Sequence, residues 1–86
     1  MRVTVLGSGD AFNSGGRRHS AYLVESEGTT FLLDCGTTTL LALKTLGISP
    51  NRIDFAAISH LHGDHFAGLP FLFLEFQYES TRSRPF

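Results

Sequence analysis

Ser59-His60-Leu61-His62-Gly63-Asp64-His65 constrains this 86-residue chain more than any other stretch. Three of the four histidines lie inside it, and the fourth, His19, is far upstream. An apolar run from Ile53 to Ile58 leads in and an apolar segment from Phe66 to Phe76 leads out, the pattern of a strand that ends in a turn and passes into a helix. Packing three imidazoles into one turn has no structural use without a cation. Imidazole with carboxylate is the donor set of borderline divalent ions, zinc above all. Side chains two apart on an extended segment point the same way, so His60 and His62 can grip one ion. Gly63 permits a sharp turn, after which Asp64 and His65 face a second ion at the mouth of the following helix. His19 alone reads as an ordinary histidine with a satisfied hydrogen bond, and nothing in the spacing brings it to the cluster.

The rest of the chain reads as short strands and helices that lead to this turn. Arg2 to Leu6 alternates and is β-branched, as a strand should be, and breaks at Gly7-Ser8-Gly9-Asp10. A dinucleotide fingerprint is excluded there, because its third glycine would fall on Phe12 and the following Asn13-Ser14-Gly15-Gly16 is loop chemistry. The loop from Asp10 to Ser20 is polar and glycine-rich, suited to lying across the edge of a cleft. Ala21–Glu25 and Thr30–Leu33 are strands joined by a hairpin turn at Glu27-Gly28. Asp34 at the end of the second reads on its own as a turn aspartate bonding nearby N–H groups. Thr37 to Leu46 predicts a helix with Thr37 or Thr38 as N-cap and Gly47 as the stop. Its stripe of Leu40, Leu41, Leu43 and Leu46 faces the core and Lys44 faces water. Arg52 to Ser59 predicts a strand buried on both faces. A helix then runs from near Asp64 to Glu79, with Pro70 able to split it in two.

Composition narrows the function classes. Apolar content of 42% and charged content of 17% describe a globular chain with room for one small domain. A net charge of −1 argues against a general nucleic-acid surface. The paired cations Arg17-Arg18 and Arg82/Arg84 read as solvated loop charge or as phosphate contacts. The single cysteine, Cys35, excludes an internal disulfide and fits a reducing cytosol, where it reads as a small buried hydrophobe. No signal-peptide pattern opens the chain, and its unbroken aromatic–aliphatic runs, such as Phe71 to Leu74, are too short to cross a bilayer, so a cytoplasmic protein without a membrane partner is expected.

His60-Leu61-His62-Gly63-Asp64-His65 matches the H-x-H-x-D-H signature of metallo-β-lactamase-fold hydrolases. Ser59 through Pro70, the opening Val5 to Phe12, and Leu33-Asp34-Cys35-Gly36 resemble the ribonuclease Z branch. The resemblance implies the αββα metallo-β-lactamase fold, an α+β class. Residues 1–86 would be the N-terminal part of a single domain whose remainder is absent, with a mixed β-sheet and helices packed on one face. It implies two zinc ions, with manganese or iron(II) as alternatives. His60 and His62 would hold one ion and Asp64 and His65 the other, activating a water for attack on a phosphodiester, RNA included. Asp64 would also steer the proton of that water as the catalytic residue, and Asp34 would support the metal loop from behind. Asp10, Ser14 and Arg17, on a loop that lies near the metal site in that family, are the candidate substrate contacts.

Four donors are too few for two catalytic zinc shells, since a catalytic zinc typically takes three protein ligands plus water. The resembled family draws a further histidine and a bridging aspartate from later in its chain. Two alternatives therefore stand beside the nuclease: a lactonase or thioester hydrolase of the same superfamily, and a non-catalytic metal-binding fragment. The segment Phe66–Tyr78 is apolar nearly all round, so self-association into a homo-oligomer through it is expected.

Overall fold

The computed structural model describes residues 1–79 and 82–86. Four strands form one sheet in the order β1 (Arg2–Gly7), β2 (Ala21–Ser26), β3 (Thr29–Leu33) and β4 (Phe55–Ala57). β1–β2 and β2–β3 pair antiparallel and β3–β4 pair parallel, so β1, β3 and β4 all run the same way. The loops that follow these three strands therefore gather at one end of the sheet. The β2–β3 turn has positive φ at both Glu27 (49°) and Gly28 (81°), the two-residue geometry whose twist matches that of the strands. The parallel step from β3 to β4 needs a crossover, which helix α1 (Thr39–Thr45) supplies. Beyond β4 come α2 (Gly63–Phe66) and α3 (Leu69–Leu74), the latter widening into a π-helical turn over Glu75–Glu79.

The strand register sorts the two faces. Leu23, Leu32 and Ala56 are laterally paired and share one face, where Leu6, Ala21, Cys35, Ala42, Leu43, Ile53 and Leu72 complete the core beneath α1 and α3. On the other face lie the rows Val3, Val24, Phe31, Phe55 and Val5, Tyr22, Leu33, Ala57. The rings of Phe31 and Phe55 stack there at 4.8 Å, and Val3, Val5, Leu33 and Phe55 are exposed. Helices thus cover one face of a mixed sheet, and the opposite face is apolar.

Several expected elements differ. The strand expected over 52–59 is only three residues long, because Pro50–Arg52 makes a 3₁₀ turn and Asp54 pairs with the backbone of Thr30 in both directions. It is not buried on both faces, since Phe55 and Ala57 lie on the open side. In α1, Leu43 is buried and Leu40 half-buried, but Leu41 and Leu46 are exposed, so the core stripe is narrower than four leucines. Thr38 occupies the N-cap position, yet its hydroxyl accepts from the His19 amide rather than from the helix. The single helix expected to Glu79 is broken at Ala67–Gly68, where the Gly68 amide donates to Cys35 and Pro70 starts a new turn.

Candidate metal centre

The histidine loop hangs from the end of β4 and is fastened from below. Cys35, just past β3, donates its amide to the His65 carbonyl at 2.7 Å and accepts from the Gly68 amide at 2.9 Å. His62, extended, precedes the first residue of α2, and its carbonyl accepts from the His65 amide. Asp64 falls in the first turn of α2, where a carboxylate suits the positive end of the helix. This brings the three imidazoles together. The His60 ring lies 3.9 Å from that of His65 and 4.7 Å from that of His62, centroid to centroid.

Asp34 organises the cluster. Its backbone sits in the left-handed region, φ 62°, and its amide donates to Ala57, which turns the buried carboxylate up beneath the loop. Oδ1 accepts from the Ser59 amide at 2.7 Å; Oδ2 accepts from Ser59 Oγ at 2.9 Å and from His65 Nδ1 at 2.6 Å. Burial pushes this carboxyl up, but the hydrogen bonds from His65 and Ser59 outweigh it and hold it below its ordinary value. An ionised Asp34 makes His65 Nδ1 the proton-bearing nitrogen. Because the Ser59 hydroxyl donates to Asp34, its oxygen accepts from His60 Nδ1 at 3.0 Å. Both histidines are thereby left with a bare Nε2, one directly and one through Ser59.

These residues fit a divalent cation by their chemistry. His65 Nε2 and Asp64 Oδ2 face each other at 3.2 Å, two acceptors whose approach is reconciled by a proton or by a metal ion. Carboxylate support of a ligating imidazole through its second nitrogen is the usual outer partner of such ligands. Among the described residues, no three His, Cys, Asp or Glu side chains form a ready-made cage. His65 instead leans on Asp64, and the His60 ring lies tilted against that of His65 at 45°.

The other candidate residues are placed as follows. Asp10, Ser14 and Arg17 lie on the β1–β2 loop at the same end of the sheet. Asp10 binds Ser14 through both its amide (3.1 Å) and its hydroxyl (2.8 Å), so these two brace the loop. Arg17 lies over Gly15. Arg82 and Arg84 are engaged internally: Arg82 stacks over Phe76 and donates to three carbonyls, and Arg84 pairs with Asp54 at 3.0 Å. Cys35 is buried and burial pushes its thiol up, which suits a packing residue.

Three contributors escape sequence reasoning. Ser59 carries the link between Asp34 and His60, and its only signal is adjacency to the first histidine. His19 comes to the loop after all. Its Nδ1 meets Thr37 Oγ1 at 2.5 Å, its buried Nε2 has no partner among the described residues, and it packs against Gly36 beside the Asp64 backbone. Gly36 is the third, wedged where a Cβ would lie under 3.0 Å from both His19 Cβ and the Asp64 carbonyl.

Comparison with known proteins agrees with this architecture. The chain is 42% identical over 81 residues to a ribonuclease Z of Aeropyrum pernix, covering 93% of this chain and 26% of that protein. Human tRNase Z, short form, superposes with a TM-score of 0.87 at 41% identity, covering 99% of this chain and 33% of that one. The metallo-β-lactamase fold protein YhfI of Bacillus subtilis superposes at 0.80 with 30% identity, covering 96% and 33%. The fold is thus of the metallo-β-lactamase class, resembling ribonuclease Z, and the chain spans between about a quarter and a third of the length of these relatives. A family model described as anti-Pycsar protein Apyc1 matches residues 1–86, and the chain belongs to that family.

Proposed function

We propose that this chain supplies the metal-binding loop of a metal-dependent phosphodiester hydrolase of ribonuclease Z type, within a longer domain that provides the remaining ligands. The observation that carries the reading is the Asp34 carboxylate, which bonds His65 Nδ1 directly and reaches His60 Nδ1 through Ser59, turning the Nε2 atoms of both rings away from it. In this reading His60 and His62 hold one zinc ion and Asp64 and His65 a second, with manganese or iron(II) acceptable to the same donors. When bound, zinc supplies an acidic water and positive charge for a phosphoryl oxygen. The chain's own residues do the positioning. Asp34 and Ser59 fix the imidazole tautomers, the Cys35 backbone fixes the height of the loop, and Asp64 Oδ2 accepts or steers a proton beside His65. The substrate is a phosphodiester, RNA among the candidates, and the compartment is the reducing cytoplasm. The exposed Phe71, Phe73, Leu74 and Tyr78 support self-association through the α3 face.

A second reading rests on the absence of a ready-made cage among the described residues: a loop that takes one ion weakly and has no catalysis of its own. Zinc titration of the chain by calorimetry, beside His60→Ala, tests both readings. Turnover of bis(p-nitrophenyl) phosphate, a lactone and a thioester is followed in the same samples. Two tightly bound ions with phosphodiester turnover support the hydrolase for this chain alone. One ion, lost in His60→Ala and without turnover, supports the loop as part of a larger site. No zinc binding at all overturns the metal reading, and turnover of the lactone or thioester instead of the phosphate overturns the substrate.

A further inference from the structure

Phe12 is the most exposed aromatic side chain among the described residues, at 86%, and it gives the core nothing. It is nevertheless held in place. The Asp10 carboxylate accepts from the Phe12 amide at 3.0 Å as well as from Ser14, and the Asn13 amide donates to Asp10. The base of the loop is closed by Ser8 and Gly9 amides donating to the Arg17 and Arg18 carbonyls. A braced loop therefore holds a ring out into water. The loop follows β1, at the end of the sheet where the histidine loop follows β4, and it returns through His19 to pack beside Asp64. The same loop carries two cations, Arg17 and Arg18. An exposed ring with guanidinium groups close by in the chain is the composition of single-strand nucleotide surfaces, where a base stacks on the ring and the cations follow the backbone.

We infer that Phe12 is a stacking platform for an unpaired nucleobase next to the phosphodiester that the metal centre engages. The phosphodiester itself rests on the function proposed above; the stacking does not need metal. Asp10 and Ser14 are then scaffold for Phe12 rather than contacts of their own.

The chain has no tryptophan, so Phe12→Trp introduces a single indole reporter. In EDTA, its emission is expected to be quenched by the dinucleotide UpU and by uridine, but not by dimethyl phosphate. Binding of UpU to the parent chain, followed by NMR, is expected to weaken about tenfold in Phe12→Ala and to survive in Phe12→Tyr. Circular dichroism confirms that each variant folds. Emission that ignores UpU up to millimolar concentration, or that follows protein concentration instead, overturns the inference, as does equal UpU binding by Phe12→Ala. Quenching without phosphodiester turnover in the zinc samples leaves the stacking intact and counts against the hydrolase alone.

Discussion

Gly36→Ala is the sharpest test of how the metal loop is held. The added Cβ meets two neighbours that cannot swing away: the His19 Cβ, fixed by its own backbone, and the carbonyl oxygen of Asp64. Both lie under 3.0 Å from the new atom, where ordinary contact begins at 3.4 Å, so the β1–β2 loop and α2 each have to draw back from residue 36 by about 1 Å. Overpacking of this kind costs about 1–3 kcal/mol, and two rigid neighbours place Gly36→Ala at the upper end. For a domain of this size that is a fall in melting temperature of about 10–20 °C. Gly63→Ala is the matched control, since nothing lies within 4 Å of its added Cβ, and it is expected to change stability by less than about 0.5 kcal/mol. Thermal unfolding followed by circular dichroism reads both. Zinc affinity is expected to fall in Gly36→Ala, because the shift moves Asp64 relative to His60. A Gly36→Ala protein that melts with the parent chain would refute the wedge.

Three further outcomes follow from the geometry. Asp34→Asn keeps a side chain that tolerates the left-handed backbone but removes the charge facing His65, and zinc affinity by calorimetry is expected to fall about 10–100-fold. Leu43→Ala, at a fully buried position, is expected to cost about 2–5 kcal/mol in urea unfolding, whereas Leu41→Ala on the exposed side changes it by less than about 1 kcal/mol. Asp10 is held below its ordinary value of 3.8 chiefly by the hydroxyl and amide of Ser14, with the Phe12 amide adding to them. A depressed carboxyl stabilises its loop above the ordinary value and loses that contribution as pH falls through the folded value. In an NMR titration, Ser14→Ala is therefore expected to move the Asp10 transition upward and to loosen the Phe12 amide at a higher pH.

How much was legible depended on whether a signal was local. His60 to His65 announces itself because the ligand chemistry is packed into one turn, and the hairpin because Gly28, which takes a positive φ freely, stands between two apolar runs. Asp34 is legible only as two alternatives, and its carboxylate turns away from the amides of its own turn: it accepts from the Ser59 amide, 25 residues on, and meets His65, 31 residues away. The β4 strand misleads because Ile53 to Ile58 reads as one run, while Asp54 turns to the Thr30 backbone and the strand keeps only three residues. Leu41 and Leu46 mislead for a different reason. They lie at helical spacing, but α1 meets the sheet over a narrow strip around Ala42 and Leu43. His19 and Ser59 depend on contacts across the fold and carry no local mark.

The paired backbone bonds of Cys35 have a consequence for how the chain breathes. Because the loop is fastened beside β3 through an amide and a carbonyl, this part of its protection against hydrogen exchange does not depend on the His60 or His62 side chain. The amides of Cys35 and Gly68 should exchange together, and with the β3 amides rather than with those of the exposed β1–β2 loop. Substitution of His60 or His62 should leave that rate unchanged. The loop then belongs to the slowest-opening unit of the fold, and an incoming ligand meets donors that are already ordered.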